Sequence, residues 1–225
     1  MGLPVLILGN SGTGKTSSLM NMNPVKTLLI QPVKKSLPFK SKEWKPINKD
    51  NPTGSILVTR DYPTITKSIH KAVSERGKEI IIIDDANYLM SLEEMSRVNE
   101  TGYKKFTDMA VNFSGLIFEA QSLPDNVRVY FMAHTKTSED GEISIKTTGK
   151  MLDEKIVVEG LFTIVMRCHE RDGHHFFSTR KRGGDPVKTP IGMFDSEEIP
   201  NDLAAVDAVI CEYEGIKTTK EAGND

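Results

Sequence analysis

Eight residues near the start of the chain, GNSGTGKT from Gly9 to Thr16, follow the apolar run Pro4 to Leu8 and have the spacing GxxxxGK[ST]. Residues of these types at this spacing hold a phosphate chain. Gly9, Gly12 and Gly14 let the backbone curl so that N–H groups along Gly9, Asn10, Ser11, Gly12, Thr13, Gly14, Lys15, Thr16 and Ser17 turn toward phosphate oxygens. The segment after them is expected to open a helix whose N-terminal dipole adds to the attraction. Lys15 would contact the β and γ phosphates of ATP, and Thr16 would place its hydroxyl on Mg²⁺.

A second candidate lies at "KEIIIIDDANYLM". Four consecutive isoleucines, Ile80 to Ile83, predict a strand buried on both faces, as at the centre of a parallel sheet, and it ends in two carboxylates. Asp84 would hold Mg²⁺ through water. Asp85 is placed either to polarise an attacking water or to cap the next helix. The strand in "VRVYFMAHT" ends in His134 and Thr135. Strand ends of a parallel sheet share one crevice, so His134 would sense the γ-phosphate or hold the water, or else be a satisfied rim residue.

The elements that must position these groups can be read in outline. A strand is expected at Lys26 to Gln31, and then an irregular polar stretch carrying Trp44. A helix should place Ile65, Ile69 and Val73 on one face and stop at Gly77. Helical spacing runs from Leu89 to Ser122, before Pro124. A hairpin is expected at Asp140–Gly141, and "LFTIVMRCH" and "HHFFSTRKR" read as two antiparallel strands joined by "ERDG". Phe176 and Phe177 fit a hairpin core better than a base-stacking platform. A last helix should start near Asn201 or Asp202.

Composition narrows the class. A chain of 225 residues with 38% hydrophobic content fits one large domain, expected over 1–215 with a flexible tail at 216–225. Its apolar runs are strand-sized and its start lacks a basic leader, which predicts a cytoplasmic protein with no membrane partner. The formal net charge of -2 gives no global electrostatic reason to bind nucleic acid. Cys168 and Cys211 lack metal-ligand spacing and are expected to be core thiols.

Together, GNSGTGKT, IIIIDDANYLM, YFMAHT, TTGKML and KRGGDPVKTPIGMF resemble the phage-encoded RecA-core ATP-binding proteins, a group that includes Sak-type single-strand annealing recombinases. The similarity spans roughly Leu3 to Tyr213. It implies an α/β P-loop NTPase with a RecA-like core, a mostly parallel sheet flanked by helices, and a C-terminal antiparallel β-hairpin. It further implies a Mg²⁺-dependent ATPase acting as a homo-oligomer, ring or filament, on single-stranded DNA. The setting implied is phage recombination or replication in the host cytoplasm, often beside a single-strand-binding protein. One departure stands out: where full RecA recombinases carry a catalytic glutamate after the second core strand, this chain reads LLIQPVKK, with Gln31 and no nearby acid.

"FFSTRKRGGDPVKTP", Phe176 to Pro190, concentrates positive charge around a Gly-Gly turn. The resemblance suggests that Lys181 and Arg182 are fingers reaching a neighbouring subunit's γ-phosphate, which would make hydrolysis depend on assembly. A second reading gives Arg180 and Lys188, with Lys146 and Lys150 of the IKTTGK loop, to a DNA backbone. A third leaves all of them on a solvated edge. Two other functions fit the P-loop: a slow nucleotide switch in an assembly or packaging complex, and a small-molecule kinase. The kinase needs an Arg-bearing helical lid, where this chain offers a hairpin and Gly-rich loops.

Overall fold

A computed structural model describes residues 1–149, 152 and 156–217. Eight strands form one sheet in the order β10-β9-β8-β1-β5-β4-β2-β3. The strands are β1 (Leu3–Leu8), β2 (Thr27–Gln31), β3 (Ile56–Val58), β4 (Ile80–Ile83), β5 (Arg128–Ala133), β8 (Ile164–Arg171), β9 (His174–Ser178) and β10 (Glu198–Pro200). Every pairing from β8 through β3 is parallel, and β9 and β10 add antiparallel strands at one edge. A separate hairpin pairs β6 (Thr135–Thr137) with β7 (Ile143–Ile145). This is the expected α/β fold, a mostly parallel sheet flanked by helices, in which β5 lies between β1, which leads into GNSGTGKT, and the aspartate-bearing strand β4.

The apolar runs of the central strands follow from burial on both faces. Leu6, Leu8, Ile81 and Ile83 pack on one face against α1 (Tyr62–Arg76), α2 (Asn87–Ser96) and α3 (Lys104–Ser122). Val5, Ile7, Ile80 and Ile82 pack on the other face with Leu19, Trp44 and α4 (Leu203–Glu214). The two ends of α1 show why it begins and stops where it does. The Asp61 side chain accepts from the Thr64 N–H at its start, and Gly77 at φ 61° ends it in a left-handed turn that costs glycine no steric clash.

One buried polar network ties the two layers together. Arg128, 1% exposed at the start of β5, donates from Nε and a terminal nitrogen to the two oxygens of Asp207 on α4, at 2.9 and 2.8 Å. The Tyr130 hydroxyl donates to the same carboxylate at 2.6 Å. A buried charge with this many partners is stable only as a set, so removal of one member leaves the rest desolvated and unpaired.

One expectation needs correction, and two gain detail. The segment after the P-loop is a six-residue 3₁₀ turn, Thr16–Asn21, and not a full helix. Ser18 competes with the backbone through its hydroxyl, Oγ donating to the Lys15 carbonyl at 2.6 Å, and Pro24 holds Asn23 out of helical geometry. The region Leu89 to Ser122 is two helices. It breaks where Arg97 turns to bond Glu93, Glu100 and Asp108 at 3.0, 2.7 and 2.8 Å, with Gly102 at φ 84°. Finally, the expected hairpin of "LFTIVMRCH" and "HHFFSTRKR" forms, with β8 and β9 antiparallel, but β8 also pairs with β1 in parallel and so belongs to the core, leaving β9 and β10 as the antiparallel extension.

Candidate functional site

Because β1, β5, β4 and β2 are parallel, their C-terminal ends meet at one edge, and the polar residues that follow them converge there. The loop after β1 curls with Gly12 at φ 82° and Gly14 at φ 98°. Lys15 is folded into it, with Nζ donating to the Gly9 and Asn10 carbonyls at 2.7 and 2.9 Å, and burial lowers its pKa. The helix-dipole contribution expected here is small, because the turn that follows is short. A phosphate here would therefore be met by Lys15 and by loop N–H groups other than those of Gly9 and Thr13, which were expected to face it but donate to the Ala133 and Asn10 carbonyls at 3.1 and 3.4 Å.

Thr16 reaches across to the end of β4. Its Oγ1 lies 3.1 and 3.0 Å from the two Asp84 oxygens, donating its proton to the carboxylate. Asp84 is 3% exposed, and burial, with the neighbouring Asp85 charge, pushes its pKa up to about 6. A carboxylate so placed favours a nearby cation. One hydroxyl and one carboxylate are hard oxygen donors suited to Mg²⁺, which ordinarily takes its remaining ligands from phosphates and water. Among the described residues no group of three or more His, Cys, Asp or Glu could hold a metal alone. The donor set therefore fits a cation that arrives with a nucleotide.

Asp85 makes a different set of contacts. It adopts φ 60°, a strained conformation for a residue with a side chain, which turns its carboxylate into the cleft. It does not cap α2, which starts without a side-chain cap. Its Oδ1 lies 3.2 Å from His134 Nε2, and its Oδ2 is ion-paired with Lys35. Burial alone would raise its pKa, but the bonds from His134 and Lys35 outweigh that and bring it down to about 2. His134 Nδ1 sits 3.5 Å from Lys15 Nζ, its backbone N–H donates to Asn87 Oδ1 at 3.0 Å, and its ring meets Tyr88 edge-on. Lys15, His134, Asp85 and Lys35 thus form one continuous chain of contacts.

Sequence reasoning missed the residues that brace this loop from outside. Cys168 donates from Sγ to the Thr13 carbonyl at 2.8 Å, and Asn201 Nδ2 donates to the Gly14 carbonyl at 2.9 Å. A Cβ on Gly14 would lie 2.7 Å from Asn201 Nδ2 and 2.8 Å from the His175 ring. Gly14 is thus required twice, for its φ and for this close approach. Cys168 is buried as expected, and burial pushes its thiol up to about 11, so it acts here as a neutral donor. From the β5 side, Thr135 Oγ1 donates to Asn10 Oδ1 at 2.5 Å.

The basic residues lie elsewhere. β9 ends at Ser178, so Arg180, Lys181 and Arg182 stand in the turn beyond it, on the antiparallel edge of the sheet. Arg182 pairs with Glu197, and Arg180 reaches the Asp195 carbonyl at 3.2 Å. Lys181 is exposed and has no acidic partner among the described residues. The turn leans on the β6–β7 hairpin through Ile143 N–H to Gly184 O at 2.9 Å. Lys188 is exposed beside Val165, and the Lys146 N–H donates to the His134 carbonyl at 2.7 Å. Lys150 and part of TTGKML lie outside the described residues. Phe177 is buried, and Phe176 stacks on His169 under Arg171, so neither presents a free ring.

Among the described residues no helix is long and apolar enough to cross a membrane. No family model matches the chain, and no curated protein matches it. Among solved structures it is similar to a KaiC-like protein from the hyperthermophilic archaeon Pyrococcus horikoshii OT3, with 13% identity, a TM-score of 0.45 and 84% of each chain covered.

Proposed function

We propose that the protein binds ATP with Mg²⁺ in the cleft at the ends of β1, β4 and β5 and hydrolyses it there. The observation that carries this reading is the Thr16–Asp84 pair, with Oγ1 at 3.1 and 3.0 Å from the carboxylate oxygens, beside a buried P-loop lysine. Thr16 and Asp84 would hold Mg²⁺, which when bound offsets phosphate charge. Lys15 exchanges its contacts with the Gly9 and Asn10 carbonyls for phosphate oxygens. Asp85 and His134, bonded to each other at 3.2 Å beside Lys15, would hold the water that attacks the γ-phosphate. The water oxygen bonds to the γ-phosphorus as the bond to the bridging oxygen breaks. The electron pair leaves with ADP, and the water's proton passes to Asp85.

The finer reading is a homo-oligomer, ring or filament, that couples hydrolysis to single-stranded DNA in phage recombination, annealing or replication. What supports it is the resemblance carried by TTGKML and KRGGDPVKTPIGMF, together with exposed cations on one edge, where a neighbour's phosphate or a DNA backbone could reach them. Steady-state hydrolysis across protein concentrations, with and without single-stranded DNA, tests it. Turnover per subunit should rise with concentration and again with DNA; turnover flat in both would refute the assembly and DNA coupling.

A second reading, a slow nucleotide switch in an assembly or packaging complex, is favoured by one observation. Both Asp85 oxygens are already engaged, by His134 and Lys35. If Asp85→Ala leaves assembled-state turnover unchanged, Asp85 is not the base and the switch reading gains.

A further inference from the structure

Lys35 is the member of the cleft cluster that no sequence pattern announces, and its placement is unusual. It comes from the loop after β2, four residues beyond the strand end at Gln31. Its side chain is 45% exposed while that of its partner Asp85 is 9% exposed, so the ammonium reaches down from the solvent side onto a buried carboxylate. The same nitrogen lies 5.1 Å from the centre of the Tyr88 ring, which with Asp85 holds it over the cleft mouth.

The other cluster members are fixed by their own elements. Asp84 and Asp85 end β4, His134 follows β5 with its backbone tied to Asn87, and Lys15 is threaded into the P-loop. Lys35 is tied by its flexible tip alone, so it can change partner without disturbing a strand or a helix. While it stays on Asp85, Oδ2 is unavailable to a water proton, and Oδ1 is already engaged by His134. A γ-phosphate beside Asp85 would offer the ammonium a stronger partner, with more charge and more acceptor oxygens than one carboxylate.

We propose that Lys35 is an exchangeable cation acting within its own subunit: it covers Asp85 when the cleft lacks a γ-phosphate and moves to the γ-phosphate when ATP is bound. The move frees Asp85 Oδ2 to take the water proton and puts positive charge where the transition state gathers negative charge. It also ties the two events together, since the base is uncovered only when the phosphate to be attacked is present. ADP lacks that phosphate and leaves the cover in place. This inference rests on the ATPase reading of the cleft and adds a residue to it that makes ATP and ADP distinguishable.

The test compares Lys35→Met and Lys35→Arg with the wild-type full chain. Dissociation constants for ATP and ADP are measured by calorimetry with Mg²⁺, and kcat and KM are measured alongside, after melting curves have been compared. Lys35→Met should keep the wild-type ADP affinity, weaken ATP about tenfold or more so that the two approach each other, and lower kcat by about 10²-fold. Lys35→Arg should restore most of the preference for ATP, since charge and reach are kept. A purely structural role would weaken both nucleotides together, and that result overturns the proposal, as does an unchanged ATP-to-ADP ratio. If Lys35→Met fails to fold, the arginine variant decides: wild-type behaviour supports the exchange, and equal loss of both nucleotides refutes it. Failure of wild type itself to bind ATP would instead remove the ATPase reading, and the two failures are therefore separable.

Discussion

Two concentrations of charge in this molecule are built in opposite ways. In the cleft, Lys15, Asp85 and His134 form a chain of contacts, Asp84 is bonded to Thr16, and all four charged or ionisable groups are largely buried and held by the ends of β1, β4 and β5. On the antiparallel edge, Arg180, Lys181, Arg182 and Lys188 stand exposed, with Glu197 and backbone carbonyls as partners for two of them. Buried charges cost heavily unless their partners are fixed, so the cleft is restricted to one geometry and one kind of ligand. Exposed pairs are weak and salt-screened, so the edge can give up Glu197 for a partner's phosphate at little loss.

The contrast is sharpest where a substitution should affect one region and spare the other. The largest effect belongs to the edge if its cations act on a neighbour. Lys181→Ala or Arg182→Ala then lowers turnover in the assembled state by a factor on the order of 10³ to 10⁵, with ATP binding nearly intact. Loss of ATP affinity in the monomeric variants would break the idea of a finger in trans. Next comes the buried pair, where Asp207→Ala strands Arg128 and Tyr130 and should cost about 3–5 kcal/mol in denaturant unfolding. A cost near zero would mean that α4 is not held by that network. Lys15→Ala should reduce turnover by about 10²–10³-fold at every protein concentration, because its contacts lie within one chain. An effect seen only at high concentration would mean that the cleft, too, is shared between subunits. At the small end, Glu197→Ala should leave the melting temperature within error of wild type while making the dependence of turnover on salt steeper. A marked loss of stability would show that the edge is held by its pairs as firmly as the cleft.

How much of this was legible depended on distance along the chain. GNSGTGKT, the four isoleucines before Asp84, the Asp140–Gly141 turn and the stop at Gly77 are local patterns, and each lies where its pattern says. Asp84 and Thr16 meet across 68 positions, and only the P-loop motif made that meeting foreseeable. No such motif covers Lys35. Its partner is 50 positions away, and a lysine in "PVKK" reads like any loop lysine. Asn201 and Cys168 lie 187 and 155 positions from the loop residues they brace, and their contacts depend on how β8, β9 and β10 stack beside β1. The short turn after the P-loop misled for a local reason. The motif is usually followed by a helix, but here the Ser18 hydroxyl bonded to the Lys15 carbonyl, and Pro24 beyond it, leave room for only six residues of 3₁₀ geometry.

The proposed holding of Mg²⁺–ATP by Thr16 and Asp84, with phosphates replacing the Lys15 contacts inside the P-loop, makes nucleotide affinity depend on Mg²⁺ and on both side chains. ATP binding by calorimetry, with Mg²⁺ and with EDTA, for wild type, Thr16→Val and Lys15→Ala, tests this most directly. Wild type should bind ATP more tightly with Mg²⁺ than without, Thr16→Val should lose most of that difference, and Lys15→Ala should bind weakly in both conditions. Wild-type binding indifferent to Mg²⁺, or equal binding by all three proteins, would contradict it.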